Sequence, residues 1–161
     1  GVFIKGKDIL KVAVIERHRA SGRIGLALVE GFGLENGAIA STIAHDSHNM
    51  IVIGDKDSDM ILAIEELKKL GGGIALAQNG KIIGALPLEI AGLMSDKPLE
   101  EVKANLDEIL DIAYNKLKVN KTIEPFMILS FIALPVIPSL KVTDLGLFDV
   151  DEFKFVSLAA N

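Results

Sequence analysis

Apolar positions along this chain change period several times, and each change predicts an element. "KVAVIE" (Lys11 to Glu16) and "IGLALV" (Ile24 to Val29) are short β-rich runs separated by the polar "RHRASGR", so they predict a hairpin. Ala38 to Ala44 and Met50 to Gly54 are two more apolar runs, joined by "HDSHN". From Asp55 the period lengthens. Met60, Ile64 and Leu67 mark one face while Glu65, Glu66, Lys68 and Lys69 lie elsewhere, which predicts a helix. "DKDSDM" offers its N-caps, and Gly71-Gly72-Gly73 ends it where a left-handed residue is wanted.

In "IALAQNGKIIGAL" the pair Asn79-Gly80 tolerates positive φ at both positions and predicts a tight hairpin. Pro98 falls in the first turn of a second predicted helix, preceded by Ser95 and Asp96. Leu99, Val102, Leu106, Ile109, Ala113 and Leu117 recur along it at spacings of three and four. "PFMILSFIAL" fits a strand or a helix by period, and its length favours a short helix ended by Pro135. "LPVIPSLKVTDLGLFDV" has two backbone-fixing prolines and turn residues at Thr143, Asp144 and Gly146, and is taken as a rigid connector packed on the core. Beyond Val150, "FKFVSL" alternates like a final strand. The pattern predicts an α/β chain of the α+β kind, a mixed β-sheet with hairpins covered by helices, as one domain over residues 1–161.

Composition narrows the function classes. A chain of 161 residues buries about two thirds of the surface it exposes unfolded, so it needs no staple. It has no cysteine, which excludes a thiol nucleophile and Cys-based metal sites and suits a reducing compartment, with the cytoplasm as the default. The net charge is −5 and the basic residues are scattered, so nucleic acid is not an expected partner. The longest apolar run, Pro125 to Leu140, is broken by Ser130, Pro135 and Pro138 and falls short of the roughly 20 residues of a membrane span, so no membrane partner is expected. The opening "GVFIKGKDIL" has no initiator Met or signal pattern and starts like a piece cut from a longer chain. A positive mean hydropathy points to a partner domain or subunit covering apolar surface, and a homo-oligomer is expected.

The densest polar chemistry is His45, Asp46, Ser47, His48 and Asn49. His45 and His48, three apart, lie on opposite faces of a strand but converge in a turn. With Asp46 they make at most three ligands, and His18 is the only other histidine, so no metal ligand is assigned. His-Asp-x-His also offers two imidazole–carboxylate pairings suited to proton transfer. Asp, Ser and Asn equally build turns by bonding nearby amides, and on local evidence structure outweighs chemistry. "GFGLENG" has Asn36 where a dinucleotide motif requires its third glycine, so Gly31 and Gly33 are taken as enabling a tight turn or close approach. "ERHR" (Glu16 to Arg19) could set a guanidinium on an anion, and an exposed basic turn is the plainer account. Nothing here assembles a complete catalytic site.

Three long strings carry more than any single motif. "KVAVIERHRASGRIGLALVEGFGLENGAIASTIAHDSHNMIVIG", "LGGGIALAQNGKIIGALPLEIAGLMSD" and "PFMILSFIALPVIPSLKVTDLGLFDV" together resemble the C-terminal domain of the bacterial and archaeal adenine deaminases, in the amidohydrolase superfamily. The resemblance implies hydrolysis of adenine to hypoxanthine and ammonia, in purine salvage, by a metal-activated water. It also implies a divalent metal pair, manganese or iron, held in an upstream TIM-type barrel that this chain lacks. The chain is then expected to be inactive alone and to pack on that barrel. His45, Asp46 and His48 are the candidates to face the active site, with Ser47 and Asn49 as candidate substrate contacts. A purely structural, oligomerising module and a stand-alone purine-binding module are the alternatives.

Overall fold

The computed structural model describes residues 8–158. Its elements run β1 (Ile9–Ile15), β2 (Ile24–Glu30), β3 (Gly37–Ser41), β4 (Met50–Gly54), α1 (Asp57–Leu70), β5 (Gly73–Gln78), β6 (Lys81–Pro87), α2 (Leu99–Asn115), α3 (Pro125–Ile132), β7 (Leu140–Thr143), β8 (Gly146–Asp149) and β9 (Lys154–Val156). The first six strands form one sheet in the order β2-β1-β4-β3-β5-β6, and the last three form a small second sheet. This is the expected α+β class. Every ladder is antiparallel, so the mixed pairing expected from helical crossovers is not what joins the strands.

The central strands β3 and β4 are buried on both faces, and their alternation sorts side chains by size. Ile39, Ile51, Ile53, Ile74 and Leu76 point into the larger core with α2 and α3. Ala38, Ala40, Ala75 and Ala77 point the other way, where small side chains let α1 sit close through Met60, Ala63 and Leu67. Gly54 is part of that fit, since a Cβ there would lie 2.6 Å from Met60 Cγ.

Local signals explain most boundaries. Asn79 (φ 50°) and Gly80 (φ 76°) make the tight β5–β6 turn, and the fully buried Asp59 carboxylate accepts from both of their amides, at 3.1 and 2.7 Å. Gly71 ends α1 in the left-handed region at φ 78°. The expected caps behave differently. Lys56 stands at the α1 N-cap without a side-chain capping bond, its Nζ donating to Asn79 Oδ1 instead, while Asp57 and Asp59 lie inside the first turn and complement the helix dipole. Asp55 instead accepts from the Asn36 and Gly37 amides. Pro98 is the α2 N-cap, and Leu99 is exposed, so the buried α2 face starts at Val102. Gly33 (φ 80°) does bring backbones together: a Cβ would lie 2.9 Å from Asn120 N.

The segment expected to be a rigid connector is instead the β7–β8 hairpin, turning at Thr143–Gly146. Thr143 Oγ1 accepts from Leu145 N at 3.1 Å and Gly146 takes φ 127°, so the turn residues close a strand pair. Among the described residues no helix is long and apolar enough to cross a membrane.

Candidate functional site

"HDSHN" leaves β3 and re-enters β4, and His48 N donates to Ala44 O at 2.6 Å to close it as a turn. The expected convergence follows. The His45 and His48 rings meet edge to face with centroids 5.7 Å apart, and His45 also lies 5.2 Å from the Phe131 ring of α3. His45 N donates to Ser130 O at 3.1 Å, fixing the turn to that helix.

The β1–β2 loop holds the turn from the other side. Arg17 Nε donates to His48 O at 2.6 Å and Nη2 to Ala91 O at 2.8 Å, while His18 Nε2 pairs with Ser47 O at 2.8 Å. "ERHR" is therefore a clamp as well as the basic turn expected: His18 and Arg19 are exposed, while Glu16 is buried and Arg17 half-buried. Glu16 organises the clamp. Its buried carboxylate accepts from His18 N (2.6 Å), Arg19 N (2.8 Å), Ser21 N (3.0 Å) and Ser21 Oγ (2.8 Å). The Ser21 amide and hydroxyl, then the backbone amides of Arg19 and His18, hold the Glu16 pKa down at about 2.

His48 is shifted in the direction that keeps it neutral. Burial lowers its pKa first, His45 and Arg17 lower it further, and Asp46 opposes them. Its Nδ1 and the Oδ1 of Asn49 are buried without a hydrogen-bond partner. A neutral imidazole with a free ring nitrogen is chemically a base in waiting. Asn49 serves another bond: its Nδ2 donates to Asp144 Oδ1 at 3.2 Å, and Arg23 Nε donates to Asp144 Oδ2 at 2.7 Å. The turn, the start of β2 and the β7–β8 hairpin are thus tied through one carboxylate.

Asp46 and Ser47 occupy the exposed tip and line a cleft of about 470 Å³. Its other walls are Ala133, Pro135 and Val136 after α3, and Asp144, Leu145, Phe148, Phe153 and Phe155 of the small sheet. Phe148 packs edge-on against Phe153 and Phe155, at 5.4 and 5.2 Å. The five candidates are therefore divided. His45 and His48 face each other, Asp46 and Ser47 face the cleft, and Asn49 faces Asp144.

The donor set does not fit a metal pair: among the described residues no three His, Asp or Glu side chains gather as ligands. The sequence pattern marks Arg17 within "ERHR", Asp144 as a turn residue and Phe153 and Phe155 as strand residues, but it places none of these at the site, and it does not single out Arg23. Only the alternation of Phe153 and Phe155 could have marked those two, as one face of a strand.

Fold and site together define an α+β module that presents a clamped histidine turn beside an aromatic cleft. The sequence model of the adenine deaminase C-terminal domain matches residues 1–154, and the chain belongs to that family. It is 58% identical over 148 residues to an adenine deaminase of Clostridium acetobutylicum, covering 92% of this chain and 26% of that protein. It is 52% identical over 158 residues to an adenine deaminase of Nitratidesulfovibrio vulgaris, covering 98% of the chain and 28% of the relative. An "Adenine deaminase 2" of Carboxydothermus hydrogenoformans is 53% identical over 153 residues, with 95% and 27% covered. The chain spans little more than a quarter of the length of these relatives.

Proposed function

We propose that the chain is the C-terminal companion domain of a cytoplasmic adenine deaminase, which hydrolyses adenine to hypoxanthine and ammonia in purine salvage. The observation that carries this reading is the 58% identity to a protein named adenine deaminase, over 92% of the chain. The metal pair, manganese or iron, belongs in this reading to an upstream barrel, as the resemblance to the adenine deaminases implies. His45, Asp46 and His48 face the active site in this reading, with His48 as a proton acceptor held neutral by its burial. Ser47, at the tip of the turn, contacts substrate, and Asn49 does so through its unpaired Oδ1. Self-association into a homo-oligomer completes the reading, supported by the exposed Ile24, Leu26 and Leu28 along β2.

The test is conversion of adenine to hypoxanthine by the full-length protein, followed by chromatography, with His45→Phe and His48→Ala alongside. Both variants should fold and lose about a hundred-fold or more in turnover, the usual scale for a proton-transfer group. Unchanged turnover would leave the turn a structural device, and turnover by residues 1–161 alone would sink the companion role. A stand-alone purine-binding module is the second reading, and it would set the base against the phenylalanine rings of the cleft. Calorimetry with adenine on the chain by itself decides that case.

A further inference from the structure

The cleft beside the turn is also strongly exposed apolar ground: Phe153 is 80% exposed, Val136 70% and Leu145 61%. Apolar surface concentrated in this way marks a contact surface. We propose that this cleft is the docking surface for the upstream part of the same polypeptide, receiving an apolar side chain of that part flanked by a lysine or arginine. The proposal rests on the companion-domain reading above.

Three observations select this occupant. The chain spans 28% of the length of its Nitratidesulfovibrio vulgaris relative, the companion-domain reading gives it a large upstream part to pack against, and the cleft adjoins the turn that this reading sets at the active site. The charge at the rim asks for a cation. Asp46 is exposed and holds no ion pair among the described residues, whereas Asp144 is already matched by Arg23. A second copy docking cleft to cleft would bring Asp46 no such cation, because no lysine or arginine lines the cleft. Openness argues against a small ligand, which a binding pocket usually covers by about 70–90%, while Phe153 leaves most of its ring in solvent.

The experiment uses the full-length protein with Phe153→Ser and, separately, Leu145→Asp. Both positions are exposed, so neither change opens the core, and Ile61→Ser on the exposed side of α1 is the control. Limited proteolysis of the join between this domain and the upstream part reports the undocked population when opening is fast relative to cleavage. Both cleft variants should speed cleavage of the join by about ten-fold or more, equivalent to ~1.4 kcal/mol, while the control matches wild type. Cleavage within two-fold of wild type in both variants overturns the proposal. So does a shift to a smaller species in gel filtration with the join still protected, which would assign the cleft to a second copy. So does protection of wild-type Phe153 by free adenine with no change at the join, which would make the cleft a ligand site. Adenine turnover of the wild-type protein is measured in parallel; its absence would remove the deaminase reading and leave the docking result standing.

Discussion

Gly25→Ala is the sharpest probe of how the small sheet rests on the large one. Gly25 lies in β2 with its open side toward the β7–β8 turn, and a Cβ there would sit 1.7 Å from Thr143 O and 3.0 Å from Gly146 N. Both obstacles are backbone, so no rotamer change relieves them. Thr143 O has to retreat by about 1.7 Å to reach ordinary contact at 3.4 Å. That movement stretches the Arg23–Asp144 and Asn49–Asp144 bonds, now 2.7 and 3.2 Å, beyond hydrogen-bonding range. Overpacking of this kind costs about 1–3 kcal/mol. The Arg23–Asp144 bond adds about 1 kcal/mol after discounting for the exposed arginine. Relief of the glycine's entropy in a strand returns roughly 0.5–1 kcal/mol. The expected loss is about 2–3 kcal/mol, or roughly 5–10 °C in Tm for a domain of this size. Urea unfolding followed by circular dichroism measures it, with an unchanged m-value showing that only stability moved. Arg23→Ala in both backgrounds completes a double-mutant cycle, and it should cost little once the hairpin has been displaced. A loss below about 0.5 kcal/mol for Gly25→Ala, or the same cost of Arg23→Ala in both backgrounds, would refute the packing argument.

Four further outcomes rest on bonds and shifts already described. Asp59→Ala strips two buried backbone donors of a charged acceptor and should cost about 3–4 kcal/mol, with faster hydrogen exchange at Asn79 and Gly80. Glu16, with its folded pKa near 2 against an ordinary 4.5, contributes stability that is fully present above about pH 4.5 and lost as pH falls toward 2. Acid unfolding of Glu16→Gln should therefore be flatter across that window, and an identical profile would count against the clamp. His48, with its pKa lowered, loses stability for the fold as pH drops below its ordinary value of 6.5. His45→Phe keeps a ring against Phe131 and removes an ionisable neighbour, so His48 should titrate higher by NMR.

What the sequence disclosed was local. Asn79-Gly80 announced its hairpin because both residues tolerate the positive φ that the turn requires, and Gly71 announced the end of α1 for the same reason. The spacing of His45 and His48 stated the condition for their meeting, a turn, and the turn is there. The β7–β8 hairpin was missed because Pro135 and Pro138 dominate the segment, while a four-residue strand such as Leu140–Thr143 shows too few alternations to stand out. The rest of the site depends on distance along the chain. Arg23 and Asp144 are 121 positions apart, Asn49 and Asp144 95. No periodicity links residues that far apart, and only the crossing of the small sheet under β2 brings them together. Phe153 and Phe155 were legible as a strand, but nothing in alternation tells which face of a terminal strand will lack a cover.

The loop between β1 and β2 invites an engineer. It is short, its residues from His18 to Arg23 are exposed, and an exposed, polar loop tip is where a tag or a fused domain is normally inserted. Here the backbone amides of that loop converge on Glu16, and the next two residues along hold the carbonyls of Ser47 and His48. An insertion between His18 and Ser21 would separate the donors from their acceptor and free the clamp, with the damage appearing about thirty positions downstream. The open Asn79-Gly80 turn offers no escape, since Asp59 grips it in the same way. Graftable positions in this fold have to be chosen by where amide protons are spoken for, because solvent exposure alone selects the segments that shape the histidine turn.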